Sequence, residues 1–416
     1  MVSRIPPKTV PSLPLERRGQ HACDPAGAEI EMMEPRKTPT VVFIHGVAAI
    51  GGAERELLLY VERLPQHGLT PIVICPPDGA LSAELRMRRA PVHAAEFPPW
   101  RKWTTMFRRR RAVRQLAMML ERLNPDVVHV NDIWWVPQTM LAVNGMNLPV
   151  IAHVRQEIEP PKVSRYRLNH AGLVLAVSRQ IEESIKASGI DAARVRTLYS
   201  GLDLPPGALA CDRQAVRRQL SIPPDALLLG TVANLFERKG YDVMLAALAR
   251  VVKTEPSVQY VIVGTGDPAY ERALRSQVQA LELSRHVQFA GFQDPVYPYI
   301  AAMDLYVQPS RMEGFGIAVI EAMAMGKAVI GTATGGLPEV IVHEETGLLV
   351  PPDDPGALAE AVRVLLKNLE KRERFARAGQ DRAKTHFTID AMMQGLTSAY
   401  AAIAPVAPIA AEGDRA

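Results

Sequence analysis

The chain has 416 residues, 48% of them hydrophobic and 22% charged, which is too long for one ordinary core and too apolar for a disordered or fibrous protein. Two domains of somewhat under 200 residues each plus a tail are expected, and no apolar stretch approaches the roughly 18 residues of a spanning helix, which excludes a polytopic membrane protein. The net charge of +4 is uneven: residues 40–204 carry 21 basic and 15 acidic groups and residues 205–416 carry 21 and 24, so the first folded half is the one expected to face phosphates or a lipid surface. The excess is modest and concentrated in one place, so nucleic acid is not expected as a partner.

Residues 1–39 are rich in Pro and charge, have no apolar run able to serve as a signal peptide, and read as a disordered tail on a cytoplasmic protein. Met32 and Met33 stand directly before the first strand and offer an alternative start of translation. Cys23, Cys75 and Cys211 are odd in number and far apart, which supports neither a disulfide framework nor a zinc site.

From Thr40 onward, β-branched runs alternate with helical-period segments, the pattern of βαβ units and a parallel sheet. Predicted strands in the first half are 40–45, 70–75, 126–130, 149–154 and 172–177. In the second half they are 226–234, 258–264, 287–291, 304–309 and 328–332. The Gly/Pro-rich stretch 200–210 has no periodicity and is the expected linker. The fold class is therefore α/β, with two Rossmann-like domains facing a central cleft, over 40–204 and 205–390. Residues 391–416 follow as a C-terminal helix, whose packing partner the sequence leaves open, and a frayed tail.

The chemistry concentrates in the predicted loops after strands. In HGVAAIGGAERELLLYVERL (45–64), Gly51 and Gly52 open a helix whose N-terminus can receive a phosphate, although glycines after a first strand are common in any α/β protein. In GTVANLFERKG (230–240), Lys239 sits where open α/β sheets bind ligands and suits a pyrophosphate; a solvated loop lysine is the other reading. Gly264 and Gly266 in GTGD fit a nucleotide cleft or an ordinary turn. The segment 309–339 is the most informative. Glu313 precedes Gly314, Phe315 and Gly316, and Glu321 follows eight residues after Glu313 among apolar neighbours. One carboxylate at a helix mouth and a second on its wall can accept hydrogen bonds from sugar hydroxyls while the helix N-terminus favours a phosphate. Gly335, Gly336 and Glu339 repeat the theme in the next loop.

EGFGIAVIE looks like the Glu-x7-Glu signature of retaining nucleotide-sugar glycosyltransferases. Together with GGAER, the KG at 239–240 and GGLPE it resembles glycosyltransferase family four over roughly residues 40–390. The resemblance implies the GT-B fold, metal-independent transfer of a sugar with retention of configuration, and no cofactor beyond a nucleotide-diphosphate sugar donor. The chain contains no Asp-x-Asp motif. The resemblance further assigns Glu321 to the ribose hydroxyls and Glu313 to the donor sugar, with the amides of Gly314, Phe315 and Gly316 beside it. Lys239 then holds the diphosphate, Gly51 and Gly52 reach it from the other domain, and Ala290, Gly291 and Phe292 frame the base.

Two positions depart from the family pattern. Asn234 stands where an Arg usually precedes the lysine, with Arg238 as the available substitute. PVIAHVRQE puts His153 and Arg155 on one face of a strand, and either is a candidate for the active-site position that relatives fill with a histidine.

Residues 98–123 form a separate feature. Arg101, Lys102, Arg108, Arg109, Arg110, Arg111 and Arg114 occur without an intervening acid beside Trp100, Trp103 and Phe107, while Val113, Leu116, Leu120 and Leu123 form a core-facing stripe. The segment suits an anionic membrane surface, or simply a solvated basic helix. The expectation is thus a glycosyltransferase acting on a glycan or lipid-linked acceptor in surface polysaccharide biosynthesis, cytoplasmic or peripheral on the inner face of the plasma membrane. A catalytically impaired nucleotide-sugar binder and a sugar-nucleotide epimerase of similar fold are the alternatives.

Overall fold

A computed structural model describes residues 38–100 and 103–404. The predicted N-terminal tail, the alternative start at Met32 and Met33, Cys23, Arg101, Lys102 and the tail after Ala404 lie outside the described residues.

The first sheet has seven parallel strands: β1 (Thr40–Ile44), β2 (Thr70–Cys75), β3 (Val92–Ala94), β4 (Val127–Val130), β5 (Val150–Val154), β6 (Leu173–Ala176) and β7 (Val195–Thr197), in the spatial order β3-β2-β1-β4-β5-β6-β7. The second has six: β8 (Leu228–Val232), β9 (Gln259–Val263), β10 (Val287–Gly291), β11 (Leu305–Gln308), β12 (Ala328–Thr332) and β13 (Gly347–Val350), in the order β10-β9-β8-β11-β12-β13. Helices cover both faces of each sheet, so the central strands are apolar without alternation: all five residues of β1, β5, β9 and β12 are buried.

Every strand expected from the sequence is present within two residues at its start and end or shorter. Three further strands, β3, β7 and β13, stand at sheet edges. All three are short, and β3 and β7 have partly exposed side chains, as an edge position allows.

The chain passes between the halves twice, and the two crossings run side by side. In the linker the Leu202 amide donates to the Phe387 carbonyl at 2.7 Å, and Gly201 packs against Thr388 and Ile389. After the second crossing, the helix Ile389–Ile403 returns to the first sheet. Its Met392, Leu396 and Tyr400 join the core of Val41, Phe43, Leu57 and Leu175, and the Tyr400 hydroxyl meets His129 Nδ1 at 2.8 Å. The partner that the sequence left open for this helix is therefore the first sheet.

Candidate functional site

Each sheet reverses its strand order once, between β1 and β4 in the first and between β8 and β11 in the second. At such a point the connections leave toward opposite faces and open a crevice at the carboxyl ends of the strands. The first crevice is bounded by the turn 45–51 and by Asn131 and Asp132, the second by the turns 233–240 and 309–316. The two edges face one another closely. A Cβ on Gly314 would stand 2.3 Å from the Arg155 carbonyl oxygen, so only glycine lets these backbones meet. A Cβ on Gly52 would stand 3.8 Å from Ile317 Cδ1, and Arg55 Nη2 lies 3.2 Å from Asp294 Oδ2.

The second half assembles its expected residues into one unit. Lys239 Nζ donates to both carboxylate oxygens of Glu313 at 2.8 Å, and Glu313 also accepts from Ser310 Oγ at 3.0 Å and Gln308 Nε2 at 3.2 Å. Burial alone would raise the Glu313 carboxyl; the charge and hydrogen bonds of Lys239, with help from Ser310, hold it below the usual range. The lysine is aimed by the turn that carries it. Gly240 adopts φ +68°, and a Cβ there would stand 1.9 Å from the Pro309 carbonyl, which draws the 233–240 turn onto the end of β11.

Asn234 and Arg238 are both exposed on that turn. The Arg238 guanidinium lies 5.9 Å from the Phe236 ring centroid, and its charge acts on Glu313. Gly264 donates to the Gly291 carbonyl at 2.8 Å and Gly266 bridges to Leu235, so the three glycines form a continuous rim that ends at the exposed Phe292.

Glu321 lies on the helix Ile317–Ala324, which begins after Gly316. Burial pushes its carboxyl up to about 7 against the opposing charge of Arg55 and a hydrogen bond from Tyr297. The Phe315 ring turns inward and stacks on Tyr199 with centroids 5.0 Å apart. The expectation that Glu339 repeats the ligand theme is corrected: its carboxylate accepts from the amides of Arg179 and Gln180 and from the Tyr199 hydroxyl, and so joins the halves. Gly336 supports the Glu313 loop through its amide on the Gly314 carbonyl at 3.2 Å.

The first half is arranged differently. The Gly51 amide, expected to face a phosphate, donates to Glu54 at 2.8 Å, while the other Glu54 oxygen meets His45 Nε2 at 2.7 Å; Gly52 remains exposed at the helix mouth. His153 and Arg155, the two candidates for the active-site position, lie side by side at the end of β5. His153 is fully buried, and burial with the charge of Arg155 pushes its pKa well down. The Arg155 guanidinium donates to Glu56 at 2.7 Å, to the Asn131 carbonyl at 3.0 Å and to Asn131 Oδ1 at 2.8 Å, and lies 3.2 Å from His153 Nδ1. The Arg155 side chain is 12% exposed, close to the 11% of Lys239 across the cleft.

Sequence reasoning missed Asp132, which stands one residue beyond Asn131 at the end of β4. Burial pushes its carboxyl up to about 6 against the charges of His45 and Arg155. The signal was its position after a predicted central strand. Among the described residues, no group of three His, Cys, Asp or Glu side chains could hold a metal ion.

Two facing parallel-sheet domains with their crevices opposed define the GT-B class of glycosyltransferase. Solved structures agree on the fold. Anabaena HepE in complex with UDP and glucose superposes with a TM-score of 0.75 at 23% identity, covering 87% of this chain and 99% of that one. Sucrose-phosphate synthase from Thermosynechococcus elongatus gives 0.74 at 22% identity, covering 88% and 99%. The family profile described as Glycosyl transferases group 1 matches residues 212–382, and a Glycosyl transferase 4-like domain profile matches residues 51–201. The chain belongs to the glycosyl transferases group 1 family.

Among curated relatives, a D-inositol 3-phosphate glycosyltransferase of Corynebacterium urealyticum is 30% identical over 260 residues, 58% of this chain and 61% of the relative. One of Jonesia denitrificans is 31% identical, over 55% of this chain and 56% of the relative, so the match spans less than two thirds of either. A lipopolysaccharide core biosynthesis mannosyltransferase of Rhizobium meliloti is 25% identical, over 59% of this chain and 73% of the relative.

Proposed function

We propose that the protein transfers a sugar, with retention and without a metal, from a nucleotide-diphosphate sugar to a glycan or lipid-linked acceptor, in the making of a surface polysaccharide or glycolipid. The observation that carries this reading is the Lys239–Glu313 pair at the switch point of the second sheet, with the mouth of the Gly52–Arg63 helix opposite. The pair is an assembled anion and hydroxyl site. A diphosphate takes over Lys239, the released Glu313 carboxylate accepts donor-sugar hydroxyls, and Glu321 accepts those of the ribose.

In front-face substitution the bond from the acceptor oxygen to the anomeric carbon forms on the side from which the diphosphate departs. The bond to the diphosphate oxygen breaks with its electron pair, and that oxygen takes the acceptor proton. Lys239 then stabilises charge developing on the leaving group. The UDP held by the Anabaena structure supports a nucleoside diphosphate as the leaving group.

The acceptor side is read from the helix Met106–Leu123. Arg110, Arg111, Arg114 and Arg122 share its outer face with Phe107 (79% exposed) and Met118 (61% exposed), opposite the buried Ala112, Leu116 and Leu120. Arginines interleaved with large apolar side chains suit an anionic lipid surface. Among the described residues no helix is long and apolar enough to cross a membrane. Co-sedimentation with anionic vesicles at low salt is the check, and no binding there removes this part.

The donor reading is tested by thermal stabilisation with UDP, GDP, ADP and NAD in EDTA. Saturation at about a hundred times the dissociation constant adds roughly 2.7 kcal/mol, and Glu321→Ala abolishes the shift. No shift with any diphosphate would refute the donor site.

A further inference from the structure

We propose that Arg311 is a positioning residue for the diphosphate: standing on the turn that carries Glu313, it clamps the turn that carries Lys239 and fixes where the lysine stands. The inference rests on the donor reading above and adds to it a residue that acts through Lys239.

Lys239 ends the short turn Glu237–Lys239, and Asp242 lies in the first turn of the helix Tyr241–Val251 that follows. Arg311 holds this stretch on both sides of the lysine. Before it, Arg311 Nη1 donates to the Glu237 carbonyl at 2.8 Å, and the Arg311 amide donates to the Arg238 carbonyl at 2.8 Å. After it, Nη1 and Nη2 donate to the two carboxylate oxygens of Asp242 at 2.8 and 2.6 Å. The fork is itself fixed from outside. Its Nε donates to Asp353, beyond β13, at 2.6 Å, and the Tyr270 hydroxyl donates to Asp242 at 2.9 Å. Thr334 Oγ1 donates to the Arg311 carbonyl at 3.1 Å, from the same loop that packs on Glu313 through Gly335.

With side chains 26% and 34% exposed, the Arg311–Asp242 pair contributes only modestly to stability. Its consequence is geometric. A lysine is a compact charge on a flexible stem, so its aim depends on how firmly its own turn is held. Lys239 Nζ reaches both Glu313 oxygens at 2.8 Å because the two turns keep their spacing, and Arg311 bridges that spacing by backbone and side chain together. A lysine at position 311 keeps the positive charge beside Asp242 but lacks the planar fork that meets Asp242, Asp353 and the Glu237 carbonyl at once.

The test is a double-mutant cycle on the full chain, with wild type, Arg311→Lys, Lys239→Ala and the double variant titrated calorimetrically with UDP, GDP and ADP in EDTA. Arg311→Lys is expected to bind the preferred diphosphate about tenfold more weakly, the scale seen when partners that orient metal-binding side chains are removed. In the Lys239→Ala background the same change has no effect, because the lysine through which it acts is gone. If a nucleotide-free thermal melt shows Arg311→Lys unfolded, Asp242→Asn releases the fork from its other end; its effect on affinity should differ about tenfold between the two backgrounds. Equal effects in both backgrounds, or none in either, overturn the inference and leave the donor site standing. A wild type that binds none of the three diphosphates, or a Lys239→Ala chain that binds as tightly as wild type, overturns the donor reading as well.

Discussion

The two facing edges are built from similar polar residues and use them in opposite ways. On the first edge, His45, Glu54, Glu56, Asn131 and Arg155 are engaged with one another, and Tyr60 donates to Glu56 from below. On the second, Lys239 and Glu313 are also paired, but on loops at the mouth of a helix, where an incoming anion can part them. Glu321 faces the same cleft. Both the Arg155 network and the Lys239–Glu313 pair are little exposed and bonded from more than one side; the first joins several elements of one half, whereas the second is carried on two turns at the switch point of its sheet and is the candidate site. The comparison teaches that charge and burial alone do not identify the chemistry, and that the alternative partner available to each group does.

The largest effect that tests this contrast is Arg155→Ala. It leaves Glu56 buried without its cation, and the expected loss of folding stability is about 3–5 kcal/mol, measured by denaturant unfolding. Unchanged stability with collapsed turnover would make Arg155 a catalytic residue instead.

Next is Lys239→Ala, expected to lose at least about 2 kcal/mol of transition-state stabilisation, roughly a thirtyfold fall in turnover, with a smaller stability loss than Arg155→Ala. Wild-type turnover would break the contrast from the other side. Smaller again, Tyr400→Phe removes the hydrogen bond to His129 and should cost about 1 kcal/mol without altering nucleotide affinity, as two parallel titrations would show.

The smallest effect concerns pH. A carboxyl raised from its ordinary value to about 7 contributes stability that is full below the unfolded pKa and is lost as pH rises through 7. The empty wild type should therefore lose stability across that window relative to Glu321→Gln, and identical pH profiles for the two would show that Glu321 is not raised.

Much of this protein was legible along the chain. Runs such as TVVFI and AVIGT are apolar on both faces because a parallel sheet is covered on both sides, so they stand out without a structure. Lys239, Glu313 and Glu321 were legible as candidates, since each belongs to a short motif in a loop or helix that directly follows a strand. Asp132 carried the same positional signal, at the end of a central strand, but no surrounding motif. The edge strands β3, β7 and β13 were lost because runs of three or four residues carry too little pattern.

By itself, the sequence determined two α/β halves, a linker near residue 200 and a glutamate pair spaced eight apart, because each is a property of local periodicity or of a single strand-loop-helix unit. Only the tertiary structure decided that Arg155 and His153 pair with each other and with Asn131, that Glu339 joins the halves, that Arg55 meets Asp294, and that the last helix returns to the first sheet. Those decisions join residues far apart in the chain, such as Glu56 with Arg155, 99 positions away, and His129 with Tyr400, 271 away. The partner of a buried polar group is chosen by which strands and helices lie side by side, and that neighbourhood exists only once both sheets have formed and the chain has crossed between them twice.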